Sequence, residues 1–186
     1  MHRSSLSVAV VLCLSLAACG GSSSKPAAKP VTTESGAQSG QQTAAVATNN
    51  GPNPCVLITK ADVEAELGKL REEPFLSHAS SKGAATCLLT VNASTGVDFR
   101  IIQSGTKLAN GEVVDAVQIY HTDKAGYSTA QVEAESGMGD EAYWIIDGTL
   151  SVLRQDTYLQ IFVNGQDRTK ARAVAKRLMT KALQRF

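Results

Sequence analysis

The feature that most limits how this chain can fold is an abrupt change of composition near residue 54. Residues 20–53 consist mainly of Gly, Ser, Ala, Thr, Gln, Asn and Pro and contain no aromatic side chain, whereas all nine aromatic residues lie in 75–186. A segment that cannot bury apolar surface does not recover the entropy lost on ordering, and it stays disordered. The sequence therefore predicts a disordered tether before residue 54. It also predicts a single globular domain over 54–186, whose 133 residues match the commonest domain size.

The first 18 residues have the form of a processing signal. A short basic start is followed by an apolar stretch that is too short to span a bilayer as a mature helix. The motif Leu16-Ala17-Ala18-Cys19 then resembles the bacterial lipobox, in which the cysteine becomes the first residue after cleavage and carries acyl chains. The alternative is an ordinary secretory signal in which Cys19 is incidental. We predict a lipoprotein signal peptide over 1–18, lipidation at Cys19 and a tether over 19–53.

Lipidation at Cys19 determines the predicted location. Each buried methylene contributes about 0.8 kcal/mol, so two or three acyl chains hold a protein stably on a membrane. We therefore expect an exported protein that is lipid-anchored to the cell membrane, with its domain facing the extracytoplasmic space. Gly20 occupies the position where an inner-membrane retention signal would have aspartate, which predicts the outer membrane if the source is Gram-negative.

The use of cysteine agrees with an exported protein. Of the four cysteines, one lies in the predicted signal and one is the predicted lipidation site, which leaves Cys55 and Cys87. Paired cysteines in an oxidising compartment usually form a disulfide. The alternative is a metal site that also uses His78 or His121, but the spacing has no C-x-x-C or H-x-x-x-H pattern. We predict a disulfide between Cys55 and Cys87, and no metal site.

The apolar periodicity of 54–186 predicts an α+β fold. Strands that are grouped apart from helices favour an antiparallel sheet with helices packed on it. The first predicted element is a helix that Thr59 caps and Gly68 ends, and it is followed by a hairpin of 86–91 and 97–101. Segment 111–124 is predicted as a helix, although a strand fits almost as well. The remaining predicted elements are a meander of strands 142–146, 149–154 and 157–163 and a closing helix that Asp167 caps. We expect about five strands packed with N-terminal, middle and C-terminal helices.

No group of residues in the domain has the pattern of a catalytic site. The sequence contains no G-x-S-x-G elbow, Walker loop or Rossmann fingerprint. The histidines of the domain are His78 and His121, and the polar run around His121 is more typical of a surface helix than of a reactive site. We therefore predict no catalytic residue and no cofactor.

The segment Gly137-Met138-Gly139-Asp140-Glu141 allows two interpretations. A cation loop is one, but calcium needs about 6–8 oxygen ligands, and two adjacent acids supply too few. The other is a turn before a strand, in which Asp140 accepts hydrogen bonds from nearby backbone amides. The turn is the favoured interpretation.

The charge of the chain is small overall but uneven along its length. A net charge of +1 argues against a nucleic-acid binder, which would carry a clear basic excess. Residues 168–186 contain seven basic and no acidic side chains, whereas 97–167 contain four basic and eleven acidic ones. The basic closing helix could contact anionic lipid headgroups, or its charges could face water and the acidic strands. The second alternative is favoured.

Two motifs carry a resemblance to a known family. The segment Asn53-Pro54-Cys55-x-Leu57-Ile58-Thr59-x-x-Asp62-Val63-x-x-x-Leu67-Gly68 is similar to the opening motif of a family of small lipoproteins with a domain of unknown function, familiar from actinobacterial envelopes. Cys87 matches the second cysteine of that family, and 137–144 resembles its Gly-Asp-Glu-Ala turn. The resemblance covers 53–163, although Leu88 and Leu89 stand where the family often has an aromatic residue. It implies a sheet-and-helix sandwich of the PsbP-like kind and brings no established activity.

These observations favour a non-catalytic binding module for an envelope partner or a small ligand. The alternative is a structural or assembly factor of a membrane complex, and a hydrolytic enzyme comes third. A deep apolar pocket in the folded domain would indicate a small ligand. An exposed patch around Trp144 or Tyr158 would indicate a protein partner, and carboxylates close to His121 would indicate an enzyme. We expect a monomer that contacts the membrane through its lipid anchor and does not bind nucleic acid.

Overall fold

The structure, a computed structural model, describes residues 53–78 and 82–186. The predicted signal peptide over 1–18, the lipidation site Cys19 and the tether over 19–53, apart from its last residue, lie outside these ranges. No helix in the described part of the chain combines the length and the apolar character that crossing a membrane requires.

The described residues contain seven strands, four α-helices and one short 3-10 helix. In chain order these are α1 (Pro54–Leu57), α2 (Lys60–Leu67), β1 (Phe75–Ser77), β2 (Ala85–Thr90), β3 (Gly96–Gln103), α3 (Ala116–Ala125), the 3-10 helix (Thr129–Gln131), β4 (Val132–Ala134), β5 (Glu141–Ile145), β6 (Leu150–Arg154), β7 (Thr157–Asn164) and α4 (Arg168–Arg185). The strands form one antiparallel sheet in the order β1-β2-β3-β7-β6-β5-β4. The two longest strands, β3 and β7, pair near its centre.

The prediction of about five strands is wrong, because the sheet has seven. The two additional strands are β1 and β4, which have three residues each and lie at the two edges. Three residues are too few to show an alternation of apolar and polar side chains, and an edge strand has only one partner. The α+β class is consistent with the structure, and α1 adds a single helical turn to the three predicted helices.

Capping residues fix where two of the predicted helices begin. Thr59 and Asp62 form a capping box at the start of α2, where the sequence predicts a helix. The Asp167 side chain accepts a hydrogen bond from the amide of Lys170 at 3.0 Å, which confirms the predicted start of α4. Both helices therefore begin where a side chain satisfies amides that have no partner within the helix.

The segment 111–124, which fits a helix and a strand almost equally well, is divided in the structure. Its helical part belongs to α3, which begins after Asp115, and the Asp115 side chain accepts a hydrogen bond from the Gln118 amide at 2.9 Å. Val113 lies outside the helix and forms an isolated antiparallel bridge with Lys107. The helix prediction is thus correct only from residue 116 onward.

A disulfide joins Cys55 in α1 to Cys87 in β2, which confirms the predicted pairing. The Cα atoms of the two residues are 5.2 Å apart. Cys87 is fully buried in the main apolar core. The bond therefore fixes the single turn of α1 against the sheet.

The two faces of the sheet are covered to different extents. α1, α2 and α4 pack on the first face, where the larger apolar core contains Phe99 and the buried stripe of α4. α3 packs on the second face, where the Tyr120 ring centroid lies 5.2 Å from that of Tyr143 and 5.3 Å from that of Tyr158. Further along this face Asp98 is exposed, so α3 leaves part of the sheet open to solvent.

Trp144 and Tyr158 do not form an exposed patch. Trp144 is 2% exposed, and Tyr158 is fully buried. The Trp144 indole packs in the first core, where it donates a hydrogen bond to the Glu135 carboxylate at 2.8 Å and lies 4.4 Å from the Arg172 guanidinium. Successive side chains of a strand point to opposite faces, and both faces are covered at these positions. The exposed patch around Trp144 or Tyr158 that would indicate a protein partner is therefore not present among the described residues.

Six of the seven basic residues of α4 form ion pairs with acidic side chains, most of which lie in other parts of the domain. The pairs are Lys170–Asp167, Arg172–Glu133, Lys176–Glu135, Arg177–Glu66, Lys181–Asp62 and Arg185–Asp62. Apart from Asp167, the acidic partners lie on α2, on β4 or directly after β4. This arrangement agrees only in part with the favoured interpretation, in which the cations of α4 face water and the acidic strands, because Asp62 and Glu66 lie on α2.

We expect Gly139→Ala to destabilise the domain. Gly139 has a φ of +58°, and a Cβ atom there would lie 2.3 Å from the Leu153 carbonyl oxygen and 2.6 Å from a Val152 methyl carbon. Such contacts force a shift of the backbone, and residues other than glycine adopt this φ at a cost. The free energy of unfolding should fall by about 2 kcal/mol, as measured by urea denaturation.

Gly137→Ala is the matched control. Gly137 has a φ of +78°, but no atom outside its immediate neighbours lies within 4 Å of the added carbon. Its loss should be about 1 kcal/mol, the cost of the backbone conformation alone. Equal losses in the two variants would contradict the steric argument.

Candidate ligand groove on the open sheet face

A groove of about 340 Å³ lies on the part of the second sheet face that α3 leaves open. Strands β2, β3 and β7 contribute five lining residues, Thr86, Asp98, Arg100, Gln160 and Phe162. The remaining lining comes from Tyr127, just after α3, and from the β5–β6 hairpin, which contributes Ile145, Asp147 and Thr149. The groove therefore lies between the end of one helix and one hairpin, with sheet side chains at its base.

Strand register aligns polar side chains across the base of the groove. Thr86 is opposite Arg100, Arg100 is opposite Gln160, and Gln160 is opposite Ser151 in the next strand. Residues directly opposite each other in antiparallel strands share a face and lie side by side. We call these four residues the polar row.

A chain of hydrogen bonds connects Arg100 to the interior of the domain. Its Nη1 donates to Oε1 of Gln160 at 3.3 Å, and Nε2 of Gln160 donates to Oγ of Ser151 at 3.3 Å. The Ser151 hydroxyl lies 3.4 Å from the Tyr158 hydroxyl, which lies 3.5 Å from that of Tyr143. Because Ser151 and Tyr158 are fully buried, they are fixed by packing, and the direction of the Arg100 guanidinium is set by the fold.

Tyr143 and Tyr158 form the inner end of this chain, and Tyr120 of α3 packs against both of them. Tyr120, Tyr143 and Tyr158 are fully buried. Burial raises the pKa of each phenol above its ordinary value, so all three are neutral at physiological pH. The Tyr120 hydroxyl has no hydrogen-bond partner within the described residues. The cluster thus supplies rigid packing and neutral hydrogen-bonding groups.

A second row of side chains runs beside the polar row. Asp98 is its central member and lies opposite Leu88 on one side and Phe162 on the other. In the part of the chain that the structure describes, the Asp98 carboxylate forms no hydrogen bond or ion pair. Asp98 is exposed, yet the surrounding protein partly desolvates its carboxylate and raises its pKa, a shift that Arg100 opposes. The groove therefore contains an unpaired carboxylate beside a positioned guanidinium.

The histidines and the acidic turn that were candidates for chemistry lie outside the groove. His121 is exposed on α3, His78 directly follows β1, and neither lines the groove. Over 53–78 and 82–186, no three His, Cys, Asp or Glu side chains are grouped closely enough to hold a metal ion. The Asp140 carboxylate accepts a hydrogen bond from the Gln155 amide, which lies 15 positions away between β6 and β7 and not in the segment of Asp140 itself.

Sequence reasoning does not identify the groove residues, although one signal for them exists. In Val97-Asp98-Phe99-Arg100-Ile101 the core side chains alternate with two opposite charges, which indicates that the second face of this strand is not closed by a core. Gln160 lies between Leu159 and Ile161 in the same way. The sequence does not show that these strands pair, and pairing is what brings Arg100 and Gln160 together.

Comparison of the chain with family models, with curated proteins and with solved structures finds no match.

Proposed function

We propose that the chain is a membrane-anchored bacterial lipoprotein whose extracytoplasmic domain is a non-catalytic binding module for a small polar ligand. The groove carries this proposal, because it combines a concave surface with polar side chains that the fold positions in advance. Its volume of about 340 Å³ falls within the range of small-molecule sites, about 300–1,000 Å³. The lipobox-like motif that ends at Cys19 and the polar tether supply the anchor.

The lining favours a polar ligand over the apolar one that a deep hydrophobic pocket would indicate. Asp98, Arg100 and Asp147 bring formal charges into the groove, and neutral polar side chains lie between them. The centres of protein interfaces are depleted in charged residues, and a partner that covered unpaired charges would leave them buried at a cost. A small molecule with its own polar groups is the better match.

A structural or assembly role is the second candidate, and one surface favours it. Phe75 in β1 is 61% exposed, and Leu88, directly opposite in β2, is 37% exposed. Exposed apolar side chains at the edge of a sheet are typical of contacts with other proteins. A Phe75→Ser variant would lose such a contact and would retain ligand binding in the groove.

Substitution of Cys19 with alanine tests the anchor. Without the thiol no lipid can be attached, so we expect the protein to leave the membrane fraction, as measured by cell fractionation and immunoblotting. Cys13→Ala, which lies inside the predicted signal, is the matched control and should leave the distribution unchanged. Retention of Cys19→Ala in the membrane fraction would contradict the lipoprotein proposal.

A substitution that fills the groove tests the binding module. Thr149→Trp places a large side chain in the groove, whereas Thr180→Trp places the same side chain on the exposed surface of α4. Amino acids, sugars, nucleosides and organic acids are screened by the shift they cause in the unfolding temperature of the full-length protein. A ligand at about 100 times its Kd stabilises a protein by about 2.7 kcal/mol, so a binding class should be clearly visible.

The expected result is stabilisation of the wild type and of Thr180→Trp by at least one class, and loss of that stabilisation in Thr149→Trp. Equal stabilisation of both variants would place the ligand outside the groove. No stabilisation of the wild type by any class would contradict the proposed function.

A further inference from the structure

The groove presents one cationic and one anionic side chain that form no ion pair with each other. Asp98 and Arg100 lie on the same face of β3, with Cα atoms about 7 Å apart, because two residues of a strand span that distance. The Arg100 guanidinium is directed across the sheet to Gln160, and within the described residues Asp98 has no ion-pair partner. Both charges are therefore available to a ligand.

We infer that the groove binds a small zwitterion, with the ligand carboxylate at Arg100 and the ligand ammonium group at Asp98. This inference rests on the proposed function of the groove as a small-ligand site. Free α-amino acids and very short peptides are the chemical class in question, because they carry both charges on one small molecule.

Arg100 is prepared to receive a carboxylate. One N–H of its guanidinium donates to Oε1 of Gln160 at 3.3 Å. The guanidinium is a planar fork of five N–H donors, and the others take no part in this bond. That fork matches the two oxygens of a carboxylate and can donate to both. Gln160 is itself held by Ser151 at 3.3 Å, so the guanidinium keeps its direction without a ligand. Gln160 and Ser151 are therefore positioning residues.

Asp98 supplies the complementary half of the site. Its carboxylate forms no ion pair or hydrogen bond among the described residues and is partly desolvated, so it can accept hydrogen bonds from an ammonium group. Asp147 adds to the negative character of the groove. One of its oxygens accepts a hydrogen bond from the Thr149 amide at 2.8 Å, which fixes its side chain at the hairpin.

Ligands of other charge types fit the lining less well. An inorganic anion would meet Arg100 but also the carboxylates of Asp98 and Asp147, and a simple cation would meet Arg100. A neutral sugar would cover both charges without pairing either, which is unfavourable. Tyr127 and Phe162 add apolar contact area, so an amino acid with an apolar side chain is the best match.

Isothermal titration calorimetry of the full-length protein in detergent micelles tests the inference. The probes are L-phenylalanine and L-leucine, the amide of each, which lacks the carboxylate, the deaminated acid of each, which lacks the ammonium group, and glucose. Hydrogen bonds to charged groups typically change affinity by about tenfold to a hundredfold. We expect at least one of the two amino acids to bind, and each of its analogues to bind more weakly by that factor.

Variants assign each charge of the ligand to a side chain. Arg100→Met should lower the affinity for the amino acid by about tenfold to a hundredfold and leave the affinity for the amide nearly unchanged. Asp98→Asn should lower the affinity for the amino acid by a similar factor and leave the affinity for the deaminated acid nearly unchanged. Gln160→Met removes the hydrogen bond that directs the Arg100 guanidinium, so it should lower the affinity only for ligands that carry a carboxylate. Lys69→Met and Glu72→Gln, exposed charges outside the groove, are matched controls and should bind like the wild type.

Equal affinity of the wild type for an amino acid and its two analogues would overturn the zwitterion inference, and so would failure of both amino acids to bind. Preferential binding of glucose would overturn it as well. The proposed function survives these results if another class of compound stabilises the wild type and not Thr149→Trp. It fails only if no class does so.

Discussion

Removal of the disulfide in a Cys55→Ala, Cys87→Ala double variant will lower the free energy of unfolding by about 3–4 kcal/mol. The bond closes a loop whose ends are 32 residues apart, and in the chain-entropy model such a link restricts the unfolded chain by that amount. The folded chain depends on the bond for a second reason. α1 has only four residues, and an isolated helix of one turn is unstable in water.

The loss is measured by urea unfolding, followed by the fluorescence of Trp144, which is 2% exposed in the folded domain. Reduction of the wild type with a thiol reagent should shift the midpoint as the double variant does, and it should not affect the double variant. A loss below about 1 kcal/mol would contradict this account and would show that burial of Leu57 and Ile58 alone fixes α1.

The second large effect is expected for Asp62→Ala. Asp62 is 7% exposed, and its Oδ2 accepts hydrogen bonds from the Thr59 amide at 3.0 Å and the Thr59 hydroxyl at 2.6 Å. Arg185 donates to both carboxylate oxygens, and the Lys181 ammonium lies 3.3 Å from Oδ1. We expect a loss of about 3 kcal/mol in the free energy of unfolding. This is the lower end of the range for buried pairs, because the Arg185 side chain is 38% exposed.

Asp115→Ala is the matched control for this variant. The Asp115 carboxylate caps α3 by accepting one hydrogen bond from the Gln118 amide at 2.9 Å. Loss of a cap alone should cost about 1 kcal/mol. Similar losses in the two variants would mean that the cations of α4 contribute nothing through Asp62.

Asp62 also makes the stability of the domain depend on pH. The Arg185 guanidinium holds the pKa of Asp62 well below its ordinary range, with help from Thr59 and against the opposing effect of burial. A carboxylate with a lowered pKa in the folded state stabilises fully above its unfolded pKa of about 3.9, and this contribution is lost as the pH falls toward the folded pKa. We expect the wild type to lose stability below about pH 4, and Asp62→Asn to lose less over the same interval. Urea unfolding at a series of pH values measures both, and equal slopes would exclude Asp62 as the source.

Local signals in the sequence are enough to predict α2, α4 and the meander of β5, β6 and β7. The caps at Thr59 and Asp167 and the Asp147-Gly148 turn act within a few residues, so their effect does not depend on the rest of the chain. β1 and β4 cannot be predicted in this way. Each has three residues and exists only through pairing with β2 or β5.

The candidate groove depends on segments that lie far apart in sequence. Arg100 and Gln160 are 60 positions apart and meet because β3 and β7 pair in one register. A shift of one residue would turn one of them to the opposite face. The ion pairs of α4 cannot be predicted from local sequence either, because Arg177 pairs with Glu66, which is 111 positions away in the sequence. Composition shows that such charges exist, and topology decides what they contact.

The position of Cys55 determines how the domain bears mechanical force. A pull on the chain ahead of residue 53 reaches the disulfide within the first turn of α1 and passes through the two sulfur atoms into Cys87. Residues 56–86 lie inside the closed loop and carry no tension, so α2 and β1 are shielded from force applied at this end. The load falls on β2, a strand that is hydrogen-bonded on both sides. In a reduced protein the same pull would act first on α1 and α2.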